Sequence, residues 1–335
     1  MNIIIPMAGM GKRMRPHTLT IPKPLLPVAG KPIVQRLVED IAKVCGKNIE
    51  HIAFVVGKFG NEVEQKLLAI AESIGAQGAI CYQEEPLGTA HAVLCAKEFL
   101  DRNVVIAFAD TLFRADFTLD EQSEGIVWVQ KVNDPRSFGV VKLNENQEII
   151  EFVEKPQTFV SDLAIIGIYY LKDGEFLRRE LQYLIDNNLK EKGEYQLTNA
   201  LENMKKKGLK FKIGRVTEWL DCGNKDATVH TNQRYLEYLR GTRGLISPSS
   251  KTYSSLIIEP VFLGDNVEIE NSIIGPYVSV GNNTKIVNSI IQNSIIQDYS
   301  FLKDVKIQNS MIGSYVHYEG KFKDVSLGDY NYFKE

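Results

Sequence analysis

With 335 residues, 24% of them charged, and a formal net charge of −3 at pH 7, the chain is long enough for two domains and a sizeable core. The mixed, slightly acidic balance excludes a general nucleic-acid binder, which would be basic. No apolar run approaches the roughly 18 residues of a membrane span. The first residues read as a strand rather than a leader, so a cytoplasmic protein with no membrane partner is expected. Cys45, Cys81, Cys95 and Cys222 show no C-x-x-C spacing, which favours reduced thiols over disulfides or a metal site.

In chain order, Asn2 to Ile5 is a short apolar run that fits a buried parallel strand. A helix follows from Lys31, with Ile33, Val34, Leu37, Val38, Ile41 and Val44 at three- and four-residue steps. Ile52 to Val56 reads as a second strand, and Val63, Leu67, Leu68, Ala71 and Ile74 mark a second helix. Ala79 to Tyr82 is a third strand, Ala90 to Leu100 a third helix and Val104 to Ala109 a fourth strand. This alternation predicts a Rossmann-like α/β sheet covered by helices, with ligands at the carboxyl ends of its strands. Strands at Gly125 to Val132, Gly139 to Leu143, Ile149 to Glu154 and Leu163 to Leu171 predict a part-antiparallel insertion, making the sheet mixed. Helices near Glu175 to Asn187 and Leu197 to Lys207, a strand at Phe211 to Val216 and a helix from Lys225 to Arg240 complete a domain spanning 1–240.

A linker spans 241–252, and a second domain spans 253–335. There, GDNVEIENSIIGPYVSV from Gly264 and GNNTKIVNSIIQNSIIQ from Gly281 align at a period of 17 residues. Apolar positions step through Val261, Val267, Ile273 and Val278, then Thr284, Ile290 and Ile295, then Phe301, Ile307 and Ile312. Three short strands per turn, each with one inward residue, describe a parallel β-helix. The copies drift out of step after Gln297.

The stretch from Met7 to Val28 carries the chemistry. Gly9 and Gly11 open a loop in which backbone can approach a ligand closely, and the cations Lys12, Arg13, Arg15 and Lys23 follow. Exposed amides and fixed cations after a strand suit phosphates. Neither familiar phosphate motif fits. Met14 stands where a dinucleotide fingerprint needs glycine, and Pro6 and Arg13 stand where a Walker loop needs glycine and Ser or Thr. Asp110, after the fourth strand, is an isolated carboxylate where a metal ligand would sit, whereas Asp116 and Asp120 carry no motif and are assigned to the surface. Gln83 to Ala90 follows the third strand, and the Gln83 amide offers both a donor and an acceptor.

Gly9-Met10-Gly11-Lys12-Arg13 and Pro22-Lys23-Pro24-Leu25-Leu26-Pro27-Val28 resemble the signature of the sugar nucleotidyltransferases, with Lys12 in place of the usual Thr. The resemblance covers most of 1–240 and implies transfer of a nucleotidyl group from a nucleoside triphosphate to a sugar-1-phosphate, aided by Mg2+. It implies that Arg13 and Lys23 are catalytic, and that Ala8, Gly9, Gly11 and Lys12 join Arg13 on the triphosphate. Gln83-Glu84-Glu85-Pro86-Leu87-Gly88-Thr89 resembles the base-binding turn, which would add Gln83, Gly88 and Thr89. Trp219-Leu220-Asp221-Cys222-Gly223 resembles the family's metal-aspartate motif, pairing Asp221 with Asp110. Phe138-Gly139-Val140 and Glu154-Lys155-Pro156 resemble the sugar pocket, giving Gly139, Glu154 and Lys155. Ile165 stands where N-acetylglucosamine users place Asn, which tilts the expected acceptor toward glucose-1-phosphate.

dTTP or UTP is the favoured donor. GTP with mannose-1-phosphate stays open, as do a bifunctional enzyme with acyltransferase activity in the second domain and a silent scaffold. The second domain resembles the hexapeptide-repeat left-handed β-helix that several such enzymes carry, which implies a homo-oligomer.

Overall fold

A computed structural model describes residues 1–46, 49–115 and 118–320. Asp116 lies outside the described residues, as does 321–335 of the expected second domain. The chain divides into two compact units, one of Met1–Leu26 with Lys31–Ala227 and one of Pro27–Gly30 with Thr228–Glu335.

The first unit is built on a nine-stranded mixed sheet. Its strands and helices follow in the order β1 Asn2–Pro6, α1 Ile33–Cys45, β2 His51–Val56, α2 Asn61–Ser73, β3 Gln77–Tyr82, α3 Thr89–Leu94 and β4 Val104–Ala107. Then come β5 Thr111–Arg114, β6 Gly125–Lys131, β7 Gly139–Leu143, β8 Ile149–Glu154, β9 Leu163–Leu171, α4 Gly174–Asp186, α5 Leu197–Lys206, β10 Phe211–Arg215 and β11 Glu218–Asp221. The strand order is β8-β7-β9-β4-β1-β2-β3, with β6 beside β9 and β10 beside β6. β1 pairs in parallel with β2 and β4, and every residue of β1 is buried, as a strand covered on both faces requires. β9 turns the sheet antiparallel against β4 and β6. Leu177, Leu181, Leu201, Met204 and Phe211 pack with sheet residues such as Val127 and Ile106 into one core.

Two departures from the sequence reading matter for the site. The expected third helix ends at Leu94 and resumes only as a 3-10 turn at Lys97–Phe99. β5 was not expected. It pairs antiparallel with β11, setting Thr111 opposite Asp221.

The second unit holds three parallel sheets of short strands between Lys251 and Glu319 and fits the left-handed parallel β-helix. Ile269, Ile286 and Leu302 stack in one interior column, and Ile274 and Ile291 in another, all fully buried. In the pairs Ile273-Ile274 and Ile290-Ile291 the inward residue is therefore the second isoleucine. Ile273 and Ile290 are 37% and 38% exposed, and Leu302 rather than Phe301 fills the core. A shift of one residue reverses the face a strand side chain takes. Ile274 pairs with Ile291 at a spacing of 17, whereas Ser279 pairs with Ile295 at 16, which accounts for the drift between the copies. Corners are turned by residues with positive φ, mostly asparagine, such as Asn266 and Asn283, whose amides bond each other at 3.1 Å. Asparagine is among the side chains that tolerate this region best. Within the same unit, the fully buried Asn232 accepts from Ser279 Oγ (2.7 Å) and Ala29 N (2.8 Å).

Candidate active site

The loop after β1 is shaped by one left-handed residue, Gly11, with φ 57° and ψ 35°. A Cβ there would stand 3.0 Å from the Lys23 Cβ, so glycine serves both the turn and the close approach of the two halves of the loop. The Gly11 carbonyl accepts from Met14 N and from Thr18 Oγ1, both at 2.8 Å. Met14 is fully buried and anchors the turn, while Lys12 and Arg13 remain exposed around it. Arg15 is exposed. Lys23 is 8% exposed, and its Nζ meets Asp110 Oδ2 at 2.9 Å.

The turn after β3 is fixed from the far side of the cleft by the segment Glu191–Thr198. Tyr195 N donates to Leu87 O and Ala90 N to Tyr195 O, each at 2.9 Å, and Leu197 N donates to Thr89 Oγ1 at 2.9 Å. Gly88 has φ 117°, and a Cβ on it would strike the Tyr195 backbone at 2.5 Å. Gln83 Nε2 donates to Gly88 O at 3.1 Å.

β5 and β11 bring the two candidate metal aspartates together. Asp221 ends β11 opposite Thr111, one residue past Asp110, and Cys222 N donates to Asp110 O at 2.9 Å. Burial pushes the Asp221 carboxyl above its usual range. The charge of Asp110 pushes it the same way, against a bond from Gly223 N and the charges of Lys23 and Arg13. Two carboxylates close enough to repel suit a hard cation between them. Among the described residues no group of three or more His, Cys, Asp or Glu could hold a metal alone, so phosphate oxygens would have to complete the shell. With that completion the pair fits Mg2+.

A cavity of about 400 Å³ brings together Ala8, Gly9, Gly11, Lys12, Arg13 and Lys23 from the loop, Gln83, Gly88 and Thr89 from the turn, and Asp110. A second cavity of about 210 Å³ is lined by Gly139, Glu154, Lys155 and Ile165. Thr89, Phe108 and Glu194 line both. On the second side, Thr198 Oγ1 donates to Glu154 Oε2 at 3.2 Å, and Lys155 Nζ lies 3.6 Å from Glu154 Oε1. Lys155 has a positive φ of 45°, and the Lys192 ammonium holds that turn through the carbonyls of Glu154 (3.1 Å) and Lys155 (2.8 Å).

The sequence reading missed Phe108, Lys192, Glu194 and Thr198. The last three lie just before and at the start of α5, which the sequence marks only as a helix, and their signal is spatial. Asp120 is exposed and bonds Ser123, as a surface acid would. The four cysteines are free thiols, and no described helix is long and apolar enough to cross a membrane.

A mixed α/β sheet with a cation- and carboxylate-lined cleft at its strand ends defines an enzyme that works on phosphates. Residues 2–238 match the family described as nucleotidyl transferase, and the chain belongs to that family, among the enzymes that act on sugar phosphates. A glucose-1-phosphate thymidylyltransferase of Streptomyces antibioticus is 29% identical over 91% of this chain and 90% of its own length. A bifunctional protein GlmU of Methanococcus vannielii is 31% identical over 91% of this chain and 77% of its own. A solved UDP-glucose pyrophosphorylase complexed with UDP-glucose superposes with a TM-score of 0.57 over 71% of this chain and 98% of that one. At 24% identity that likeness speaks to the fold alone.

Proposed function

We propose that the enzyme transfers a nucleotidyl group from dTTP or UTP to a hexose-1-phosphate, with glucose-1-phosphate the favoured acceptor, and that it works with Mg2+. The observation that carries this reading is the pair of cavities sharing Thr89, Phe108 and Glu194, one rich in cations and the other holding Glu154 and Lys155. A phosphate oxygen of the sugar phosphate attacks the α-phosphorus, the bond to the bridging oxygen of the β-phosphate breaks, and pyrophosphate leaves. The nucleophile is already an anion, so the barrier lies in positioning and in repulsion between two polyanions.

Arg13, with its planar fork, takes the triphosphate and the leaving pyrophosphate. Ala8, Gly9, Gly11 and Lys12 supply backbone and charge beside it. Lys23 serves the α-phosphate and the incoming sugar phosphate. Its ion pair with Asp110 keeps it aimed before substrate arrives. Gln83, Gly88 and Thr89 take the base. Glu154 accepts from sugar hydroxyls, Lys155 reaches the sugar phosphate, and Gly139 and Ile165 shape the pocket wall. Asp110 and Asp221 would hold Mg2+, which supplies neutralisation of phosphate charge.

We place the protein in the cytoplasm, in keeping with its free thiols, and the β-helix as an assembly element with a second copy of the chain. The exposed column of Leu256, Ile273 and Ile290 supports that assembly role. The relationship to GlmU keeps a bifunctional enzyme as the second reading; His317, exposed on the β-helix beside Glu319, is the histidine it would have to use.

The test is a matrix of dTTP, UTP, CTP, GTP and ATP against glucose-, mannose-, galactose- and N-acetylglucosamine-1-phosphate. Pyrophosphate release is followed and products are identified by mass. A thymidine or uridine diphosphate hexose is the expected product. GTP with mannose-1-phosphate as the only active pair would overturn the base and sugar assignments together.

A further inference from the structure

The hydrogen-bond accounting around Gln83 is complete on one side and open on the other. Its amide nitrogen carries two protons. One goes to Gly88 O at 3.1 Å and the other to His91 Nδ1 at 3.1 Å. The Gly88 carbonyl has no proton to give, so it admits only the –NH2 end of the amide and fixes which way the side chain is turned. His91 Nδ1 then acts as an acceptor. Burial lowers the affinity of the His91 imidazole for a proton, against an opposing pull from Glu85, which favours the neutral ring that has such a lone pair. The other ring nitrogen lies 4.0 Å from Cys95 Sγ. Both amide protons are therefore spent inside the protein. The atom left to a ligand in the 400 Å³ cavity is the carbonyl oxygen Oε1.

Resting on the reading of Gln83 as the base-contacting residue, we infer that His91 is a positioning residue that locks the Gln83 amide as a pure acceptor and so selects bases whose ring nitrogen at the middle of the pairing edge carries a proton. Uracil and thymine carry that proton on N3. Cytosine presents a lone pair at N3, its N–H groups standing on the exocyclic N4, so in the pose of uracil it faces Oε1 acceptor to acceptor. Adenine likewise presents a lone pair at N1, with its N–H groups on the exocyclic N6. Guanine carries a proton on N1, so its exclusion would have to come from size. A buried acceptor left facing an acceptor discriminates far more strongly than a missing contact does. His91 touches no substrate in this scheme; it takes up the second amide proton, which the Gly88 carbonyl alone would leave free to meet a lone pair on a base.

The experiment is calorimetric titration of the full-length protein with dTTP, UTP and CTP, read as the ratio of Kd for CTP to Kd for UTP. A ratio compares two ligands on the same folded molecules, so partial unfolding of a variant cancels. Wild type is compared with His91→Leu, which removes the acceptor, His91→Asn, whose Oδ1 can replace Nδ1, and Gln83→Leu.

The expected wild-type ratio is on the order of 100, falling about tenfold or more in His91→Leu. His91→Asn should stay within about threefold of wild type, and Gln83→Leu should approach equal affinity. If His91→Leu keeps the wild-type ratio while Gln83→Leu loses it, the inference is overturned and the base-contact reading of Gln83 survives. If Gln83→Leu keeps the ratio, that underlying reading fails and takes the inference with it. If His91→Asn behaves like His91→Leu, His91 acts through its bulk and the hydrogen-bond lock is refuted. A wild type that binds CTP as tightly as UTP overturns the inference outright.

Discussion

The two units of this chain solve opposite problems. The β-helix repeats one solution: nearly every turn places apolar side chains such as Ile269, Ile286 and Leu302 at the same depth, and asparagines at the same corners. Its information is periodic, and its central cluster is apolar. The nucleotidyl transferase unit uses its sheet as a platform and keeps the polar groups of its cleft in the connections and at the ends of strands, where no period governs them. Lys23, a cation only 8% exposed, sits against Asp110, and Asp221 is held at a raised pKa beside them. Arrangements of this kind cost stability and persist where function requires them. A substitution in one unit should therefore register as lost chemistry, and one in the other as lost stability.

Lys23→Ala gives the largest expected separation. It removes the partner of Asp110 and the cation assigned to the α-phosphate, so kcat/KM should fall about 10²–10³-fold or more, with the melting temperature nearly unchanged. A variant that retains most activity would break the contrast at its strongest point. Ile286→Ala is the mirror experiment. Its side chain is fully buried in the β-helix, and a cavity there should cost about 2–5 kcal/mol in unfolding free energy. Activity per folded molecule should be preserved, and a proportional loss of kcat would show that the β-helix takes part in catalysis.

The thiols sharpen the comparison, because all four cysteines lie before residue 228. Burial raises the Cys45 thiol to about 12, with the charge of Glu121 adding to it, and burial raises Cys81 to about 11. At pH 8 both are protonated and poorly nucleophilic. Iodoacetamide should label them slowly until the first unit unfolds, and Ile286→Ala should leave that rate unchanged. Faster labelling in the variant would mean that the stabilities of the two units are coupled. The smallest effect is expected for Asn283→Ala. It removes one rung of the corner ladder and puts alanine at φ 54°, for a loss of about 1–2 kcal/mol by chemical denaturation. No loss would mean that corner asparagines are interchangeable.

The same contrast governs how far each unit could be read from sequence. The β-helix announced its period, because Gly264 and Gly281 begin matching segments. Its phase was obscured by the Ile-Ile pairs, in which both faces carry the same apolar residue, so Ile273 and Ile290 read as core although they stand outward. In the first unit, alternating periodicity exposes the strands and helices, and glycine and cation spacing singles out the loop after β1. The proximity of Asp110 and Asp221 rests on the pairing of Thr111–Arg114 with Glu218–Asp221. That contact spans about a hundred residues and leaves no local pattern. Glu194 was illegible for the same reason: it joins both cavities through the Tyr195 backbone bonds to Leu87 and Ala90.

The most direct test is pyrophosphate release from dTTP or UTP with glucose-1-phosphate and Mg2+, wild type beside Asp110→Asn. The substitution is nearly isosteric and leaves the Lys23 amine in place, but it removes the negative charge. Release by wild type, with a loss of at least about 10²-fold in the variant at an unchanged melting temperature, is the expected result. Equal rates in the two proteins, or a folded wild type that releases no pyrophosphate with any hexose phosphate, would contradict the assignment of this cleft.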